Sequence, residues 1–293
     1  MTHHELLLRT LLFVPAHREP MFAKAAASAA DAIVLDLEDA VAPQEKPAAR
    51  DNARGAIASL AARGPVFVRV NGVRTGLARD DVLAVVRGGL AGVVLPKPES
   101  PQDVRDLDVL LREAEMANDV RPGDIAVIPI IESTRGLLRA EEIALASDRI
   151  IALSLGAEDY CAELEVERNV EGTALAHLRY RIVEIATAFG LAPIDTPYTD
   201  VRDLDGLRAE TAFARAVGFK GKYVLHPDQV APVNELFTPS DSEIASARRI
   251  VAAYDDAVSH GNGATSVDGH MVDAPIAARA RRLLARAERT ARR

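Results

Sequence analysis

The sequence predicts an α/β chain, a (β/α)8 TIM barrel with a C-terminal helical extension, and three observations carry that expectation. Short apolar runs alternate with longer Ala/Leu/Arg/Glu-rich segments whose apolar residues recur three and four apart, the pattern of βα units around a parallel sheet. Eight such runs fall within about 230 residues, the size of one barrel. Acids, an arginine and a lysine gather where the runs end, and barrel enzymes place their chemistry at the C-terminal ends of the strands. A doubly wound open sheet is the alternative, because periodicity does not show closure.

The elements follow in order. Residues 6–14 are apolar but interrupted by Arg9 and Thr10, too short for a membrane span and without a signal cleavage site, so 11–14 reads as the first strand. Further strands are expected at 32–37, 66–70, 92–95, 126–131, 150–155, 191–194 and 222–225, where β-branched and leucine residues cluster. Helical spacing marks 21–30, 45–60, 101–116, 173–189 and 203–216, and a further helix is expected after Asp159. Past residue 236 the pattern changes. Ser240 or Asp241 caps a helix to about His260, Gly261-Asn262-Gly263 breaks it, and an Ala/Arg-rich helix follows Pro275. The expected division is a barrel over 1–236 and an extension over 237–293 that can reach a neighbouring subunit.

Composition narrows the function. With 293 residues, 48% of them hydrophobic, the chain can bury a sizeable core. A net charge of −8 argues against a nucleic-acid surface, and no stretch is long and apolar enough to cross a membrane. Cys161 is the single cysteine, so no intrachain disulfide forms, and a reducing cytoplasm is the expected setting.

Glu132 closes the run at 126–131, and Asp159 lies just beyond the run at 150–155. On neighbouring barrel strands they would stand side by side, and a small oxygen-preferring cation is commonly held by one or two carboxylates plus water and substrate. Helix capping is the plainer reading of either acid. Asp36, Glu38 and Asp39 follow the second strand and need a compensating charge nearby. Arg69, sharing a strand face with Asn71, supplies a planar fork suited to a carboxylate, whether from Asp36, Glu38 or a keto-acid substrate. Lys97 raises Schiff-base chemistry as a rival mechanism, although surrounding acids favour the charged ammonium and make it a poor nucleophile.

Seven stretches, Leu12-Phe13-Val14-Pro15, the run from Val34 through Asp36-Leu37-Glu38-Asp39 to Val41, Val68-Arg69-Val70-Asn71-Gly72, Leu95-Pro96-Lys97, Ile131-Glu132-Ser133, Gly156-Ala157-Glu158-Asp159 and His226-Pro227, occur in an order that resembles the citrate lyase beta-subunit-like branch of the HpcH/HpaI aldolase superfamily. The resemblance implies a (β/α)8 barrel with Mg2+, or Mn2+, held by Glu132 and Asp159. It implies a substrate carboxylate or keto acid at Arg69, with Asn71 and Lys97 as further substrate contacts and Asp36, Glu38 and Asp39 supporting them. The tail segment from Asp268 to Pro275 resembles members acting on free acyl-CoA thioesters, in which Asp273 would be an acid/base supplied to an adjacent subunit. Capping of the last helix is the alternative for Asp273.

The sequence departs from the family's pattern after Pro15, where Ala16-His17-Arg18-Glu19 replaces the glycine and small polar residues expected, which leaves Arg18 and Lys24 as bare candidates for coenzyme A phosphates. The implied activity is a reversible Claisen-type cleavage of a 3-hydroxyacyl-CoA bearing a second carboxylate, giving an acyl-CoA and a 2-keto acid, in a homotrimer. The alternatives are a malyl-CoA-type thioesterase, a malate-synthase-like activity, and a citrate lyase complex subunit acting on acyl-carrier-protein thioesters. The aspartate-bearing tail is expected to be absent from true complex subunits.

Overall fold

The computed structural model describes residues 6–169 and 172–291. Its first compact unit, residues 1–234, contains β1 (Thr10–Pro15), α1 (Pro20–Ala27), β2 (Ala32–Asp36), α2 (Lys46–Ala61), β3 (Val66–Arg69), α3 (Ala78–Val85), β4 (Leu90–Leu95), α4 (Pro101–Ala117), β5 (Ala126–Ile131), α5 (Thr134–Leu138), α6 (Ala140–Ala144), β6 (Ala152–Leu155), α7 (Ala157–Glu163), α8 (Thr173–Ala188), β7 (Ala192–Asp195), α9 (Leu204–Val217) and β8 (Gly221–Val224). A short helix, α10 (Val230–Phe237), runs across the boundary into the second unit, residues 235–293.

All eight expected strands are present, and they pair in sequence order as a closed parallel barrel. Closure is made by β1, which pairs with β2 on one side and with β8 on the other, Leu11 facing Tyr223 across the seam. The open-sheet alternative is thereby excluded. At this seam Gly221 lies against the Leu8 carbonyl so closely that any Cβ would overlap it, which fixes the residue type.

The barrel interior is filled by Leu11, Val34, Phe67, Val94, Ile128, Ile130, Ile194 and Tyr223, a packed core with no lumen. Parallel strands covered on both faces read as continuous apolar runs, which is why the strands were legible in the sequence. The surrounding helices bury one stripe each. In α4 the stripe is Val104, Leu107, Leu111 and Ala114, and the helix begins with a Ser100/Asp103 capping box and Pro101. Each large apolar side chain buried this way contributes roughly 1.5–3 kcal/mol.

Between strands and helices on one flank lies a buried ion network. Lys222 on β8 donates to Asp195 on β7 (2.6 Å) and to Glu210 on α9 (2.7 Å), while Arg179 on α8 pairs with Asp195 (3.0 Å) and Glu210 (3.1 Å). Burial works to raise the Glu210 carboxyl, but Lys222, Arg179 and Arg168 bring it down to about 2.

The second unit corrects one expectation. Besides α11 (Asp241–Ser259) and α12 (Ala274–Ala291) it contains an antiparallel hairpin, β9 (Ala264–Val267) and β10 (His270–Asp273). Asp268 and Gly269 form its two-residue loop, both with positive φ (52° and 80°), as a primed turn requires. The Asp-Gly pair was the sequence signal for this hairpin. The alternation around it is too short, and the strands too exposed, to read as a buried pattern.

Candidate active site

Parallel register sets the site. Asp36 ends β2, Arg69 ends β3, and the two are register partners at the C-terminal rim. Arg69 donates from Nε to Asp36 Oδ1 and from Nη2 to Asp36 Oδ2, both at 2.7 Å, the bidentate fork that lets a guanidinium remain charged in a half-buried place. Its Nη1 lies 3.1 Å from Glu38 Oε2. Burial opposes the charge, but the Asp36 hydrogen bonds and charge outweigh it and raise the Arg69 pKa. The guanidinium also lies over the Phe13 ring at 4.8 Å, and Phe13 in turn packs on Tyr223 with ring centroids 4.7 Å apart.

Glu132 follows β5 and is 5% exposed. Lys97 N–H donates to its Oε1 at 2.9 Å, and its Oε2 lies where a Cβ on Gly156 would stand. Only glycine at 156 admits this carboxylate. Burial, then the charges of Asp159 and Glu38, push the Glu132 carboxyl up to about 8. No lysine or arginine among the described residues forms an ion pair with Glu132. A buried carboxylate beside a second carboxylate, with no counter-ion of its own, suits a divalent cation. Asp159 stands at the start of α7, 42% exposed and 3.2 Å from Lys97 Nζ.

Lys97 extends further, donating to Glu38 Oε1 and Asp39 Oδ2, each at 3.1 Å. Burial acts against its charge, yet Glu38, Asp39 and Glu132 raise its pKa above the ordinary lysine value. An ammonium held this way is no amine nucleophile at neutral pH, so the geometry speaks against a Schiff base. Glu38 is raised, chiefly by burial, while Asp39 is lowered despite its burial by hydrogen bonds from Glu38 and Lys97.

The structure thus gathers Asp36, Glu38, Asp39, Arg69, Lys97, Glu132 and Asp159 at one end of the barrel. Four other candidates are placed differently. Asn71 is 4% exposed, and its Nδ2 donates to Leu37 O (3.0 Å) and Asp81 Oδ2 (2.6 Å) while its Oδ1 accepts from Lys46 Nζ (2.8 Å). Those bonds brace the ends of β2 and β3. Arg18 is exposed, donating to His17 Nε2 at 3.0 Å, and Lys24 is exposed on α1. Asp273 closes β10 in the second unit, and its Oδ1 accepts from Ile276 N–H at 3.3 Å, a capping contact for α12.

Sequence reasoning missed Phe13, Tyr223 and Gly156, whose contributions depend on neighbours distant in the chain. A cavity of about 650 Å³ is lined by Glu158, Cys161, Arg168, Arg179, Tyr198 and Phe213. Among the described residues no three His, Cys, Asp or Glu side chains converge into a metal cage.

A closed (β/α)8 barrel with carboxylates and a paired arginine at its C-terminal mouth is built as a barrel enzyme. The family described as HpcH/HpaI aldolase/citrate lyase matches residues 9–227. Citrate lyase subunit beta of Escherichia coli K12 is 40% identical over 96% of this chain and 93% of its own length. L-malyl-CoA/beta-methylmalyl-CoA lyase of Rhodobacter capsulatus is 38% identical over 91% of this chain and 90% of its own. Among solved structures, protein CitE from Mycobacterium tuberculosis in complex with magnesium, acetoacetate and coenzyme A is 35% identical, with a TM-score of 0.78 over 97% of this chain and 99% of that one. The chain belongs to the HpcH/HpaI aldolase/citrate lyase family and is an enzyme of the lyase class. The match to the E. coli subunit extends through most of the segment after residue 236, so absence of the tail does not mark complex subunits, contrary to expectation.

Proposed function

We propose that this enzyme is a magnesium-dependent carbon–carbon lyase cleaving a 3-hydroxyacyl-CoA with a second carboxylate into an acyl-CoA and a 2-keto acid, of the malyl-CoA or citramalyl-CoA type. The observation that carries the reading is the buried Glu132 carboxylate, raised to about 8 and lying beside Asp159 without an ion-pair partner. Glu132 and Asp159 would hold the cation, leaving its other positions to water and substrate. When bound, Mg2+ or Mn2+ supplies Lewis-acid polarisation of the oxygen that becomes the keto acid's carbonyl.

The chain's own residues do the rest. A guanidinium has five donors; those Arg69 turns toward Asp36 and Glu38 leave two N–H groups for a substrate carboxylate or carbonyl. Asp36, through its bidentate bond, and Phe13, beneath the plane, keep that guanidinium from rotating away. In cleavage the substrate's hydroxyl proton would leave to a base or water as the carbonyl forms, and Asp273, brought by a neighbouring subunit of a homotrimer, would protonate the acyl-CoA enolate carbon; in condensation it would remove that proton from the acyl-CoA. Support comes from the malyl-CoA lyases among the relatives and from the magnesium and coenzyme A in the M. tuberculosis neighbour.

The similarity to E. coli citrate lyase subunit beta favours a second reading, a complex subunit working on a thioester of an acyl carrier protein. Purified protein alone, with Mg2+, is the discriminating sample. Glyoxylate, pyruvate and oxaloacetate screened against acetyl- and propionyl-CoA should give a condensed thioester with at least one pair. Turnover only with an acyl carrier protein would establish the second reading, and release of free coenzyme A with hydroxy acid would mark a thioesterase.

A further inference from the structure

Lys97 is bonded to the acidic site through both its backbone and its side chain. Its N–H fixes Glu132 Oε1 at 2.9 Å, and its ammonium meets Glu38 at 3.1 Å, Asp39 at 3.1 Å and Asp159 at 3.2 Å. The backbone is in the left-handed region, φ 51°, unusual for a non-glycine residue and more so for one that precedes a proline, here Pro98. From this one position the N–H reaches Glu132 after β5 while the ammonium reaches the acids after both β2 and β6. One residue thereby touches both candidate metal carboxylates.

The charge arrangement gives the contact a consequence. Arg69 takes up Asp36 and also pairs with Glu38, and among the described residues Lys97 is the cation that Glu38, Asp39 and Asp159 share. Like charges this close repel unless a cation stands between them. A divalent ion binding at Glu132 and Asp159 would meet the Lys97 ammonium across a shared carboxylate, Asp159.

We propose that Lys97 is a positioning residue which keeps the metal carboxylates gathered before the divalent cation binds, and that its ammonium lowers the site's affinity for that cation. This rests on the metal reading of Glu132 and Asp159 above. It gives Lys97 a part other than substrate contact, and it predicts effects of opposite sign on stability and on metal affinity.

The test uses the purified full-length enzyme without substrate, with calorimetric Mg2+ titration and thermal melts in EDTA and in saturating Mg2+. Lys97→Met keeps an unbranched apolar stem and the backbone N–H and removes the ammonium, its charge and its hydrogen bonds to Glu38 and Asp39. It should melt several degrees lower than wild type in EDTA, bind Mg2+ about tenfold more tightly or better, and melt with wild type when Mg2+ saturates. Lys97→Arg restores a cation and should return the affinity to within about threefold of wild type. Affinity in Lys97→Met that is unchanged or weaker overturns the proposal, as does a melting deficit that persists in Mg2+ or an arginine variant that behaves like the methionine one. A wild-type protein that binds no Mg2+ overturns the metal reading itself and this proposal with it, which separates the two failures.

Discussion

Glu132 carries a conflict that substitution can expose. Its carboxyl is raised to about 8 by burial and by neighbouring Asp159 and Glu38, so in the metal-free protein its charge is a liability. Glu132→Gln keeps the shape and an oxygen for the Lys97 N–H. It should lower turnover by at least about 1,000-fold, on the order of 4 kcal/mol, while melting in EDTA at or above the wild-type temperature. A variant that melts well below wild type would assign Glu132 to the scaffold. Arg69→Lys removes the fork that grips Asp36 and should lower kcat/KM by about 100-fold, because an ammonium cannot bind Asp36 and substrate in parallel pairs. Steady-state kinetics with Mg2+ saturating measure it. These residues were legible because strand ends can be counted along the sequence. Gly156 and Phe13 were not, since one matters by making room for Glu132 and the other by lying under Arg69. The partners of Asn71 were not legible either, because sharing a face with Arg69 is a local property, while Lys46 and Asp81, which bond to it, come from elsewhere in the chain.

At the scale of elements, β7, β8, α8 and α9 are fastened by the Asp195–Lys222–Arg179–Glu210 network. Glu210 has a folded pKa of about 2 against an ordinary 4.5, so the unfolded chain takes up its proton first as pH falls. Its stabilising contribution is complete above about pH 4.5 and is lost as pH falls toward about 2. Urea midpoints measured from about pH 5 to 2 should fall with acid, and Glu210→Gln should flatten that slope. An unaltered slope would place the acid sensitivity elsewhere. The strands themselves read clearly from the sequence because burial on both faces demands apolar runs. The five-residue helices α5 and α6 are too short to show a period, and the β9–β10 hairpin is exposed enough that only its Asp268-Gly269 turn announces it.

For the whole molecule, the proposed division of labour puts the metal and the arginine on the barrel and the acid/base on the tail. Asparagine is as good a helix cap as aspartate, so Asp273→Asn separates capping from chemistry. It should leave the melting temperature unchanged and lower kcat by at least about 100-fold. If a neighbour supplies the tail, mixing the impaired Arg69→Lys and Asp273→Asn proteins, unfolded and refolded together, should recover activity well above the residual level of either alone. No recovery with an otherwise competent trimer would confine each tail to its own chain. Oligomer number and tail placement were not legible in residues read one chain at a time. Closure of the barrel was not either, since it depends on β1 meeting β8 across more than two hundred residues of sequence.

The most direct measurement is turnover of a 3-hydroxyacyl-CoA by the purified protein, before and after EDTA, with Mg2+ added back and with borohydride present. Loss in EDTA, recovery with Mg2+ and no borohydride-trapped adduct on Lys97 are the predicted results. Full activity in EDTA, or covalent trapping at Lys97, would contradict a metal site at Glu132 and Asp159.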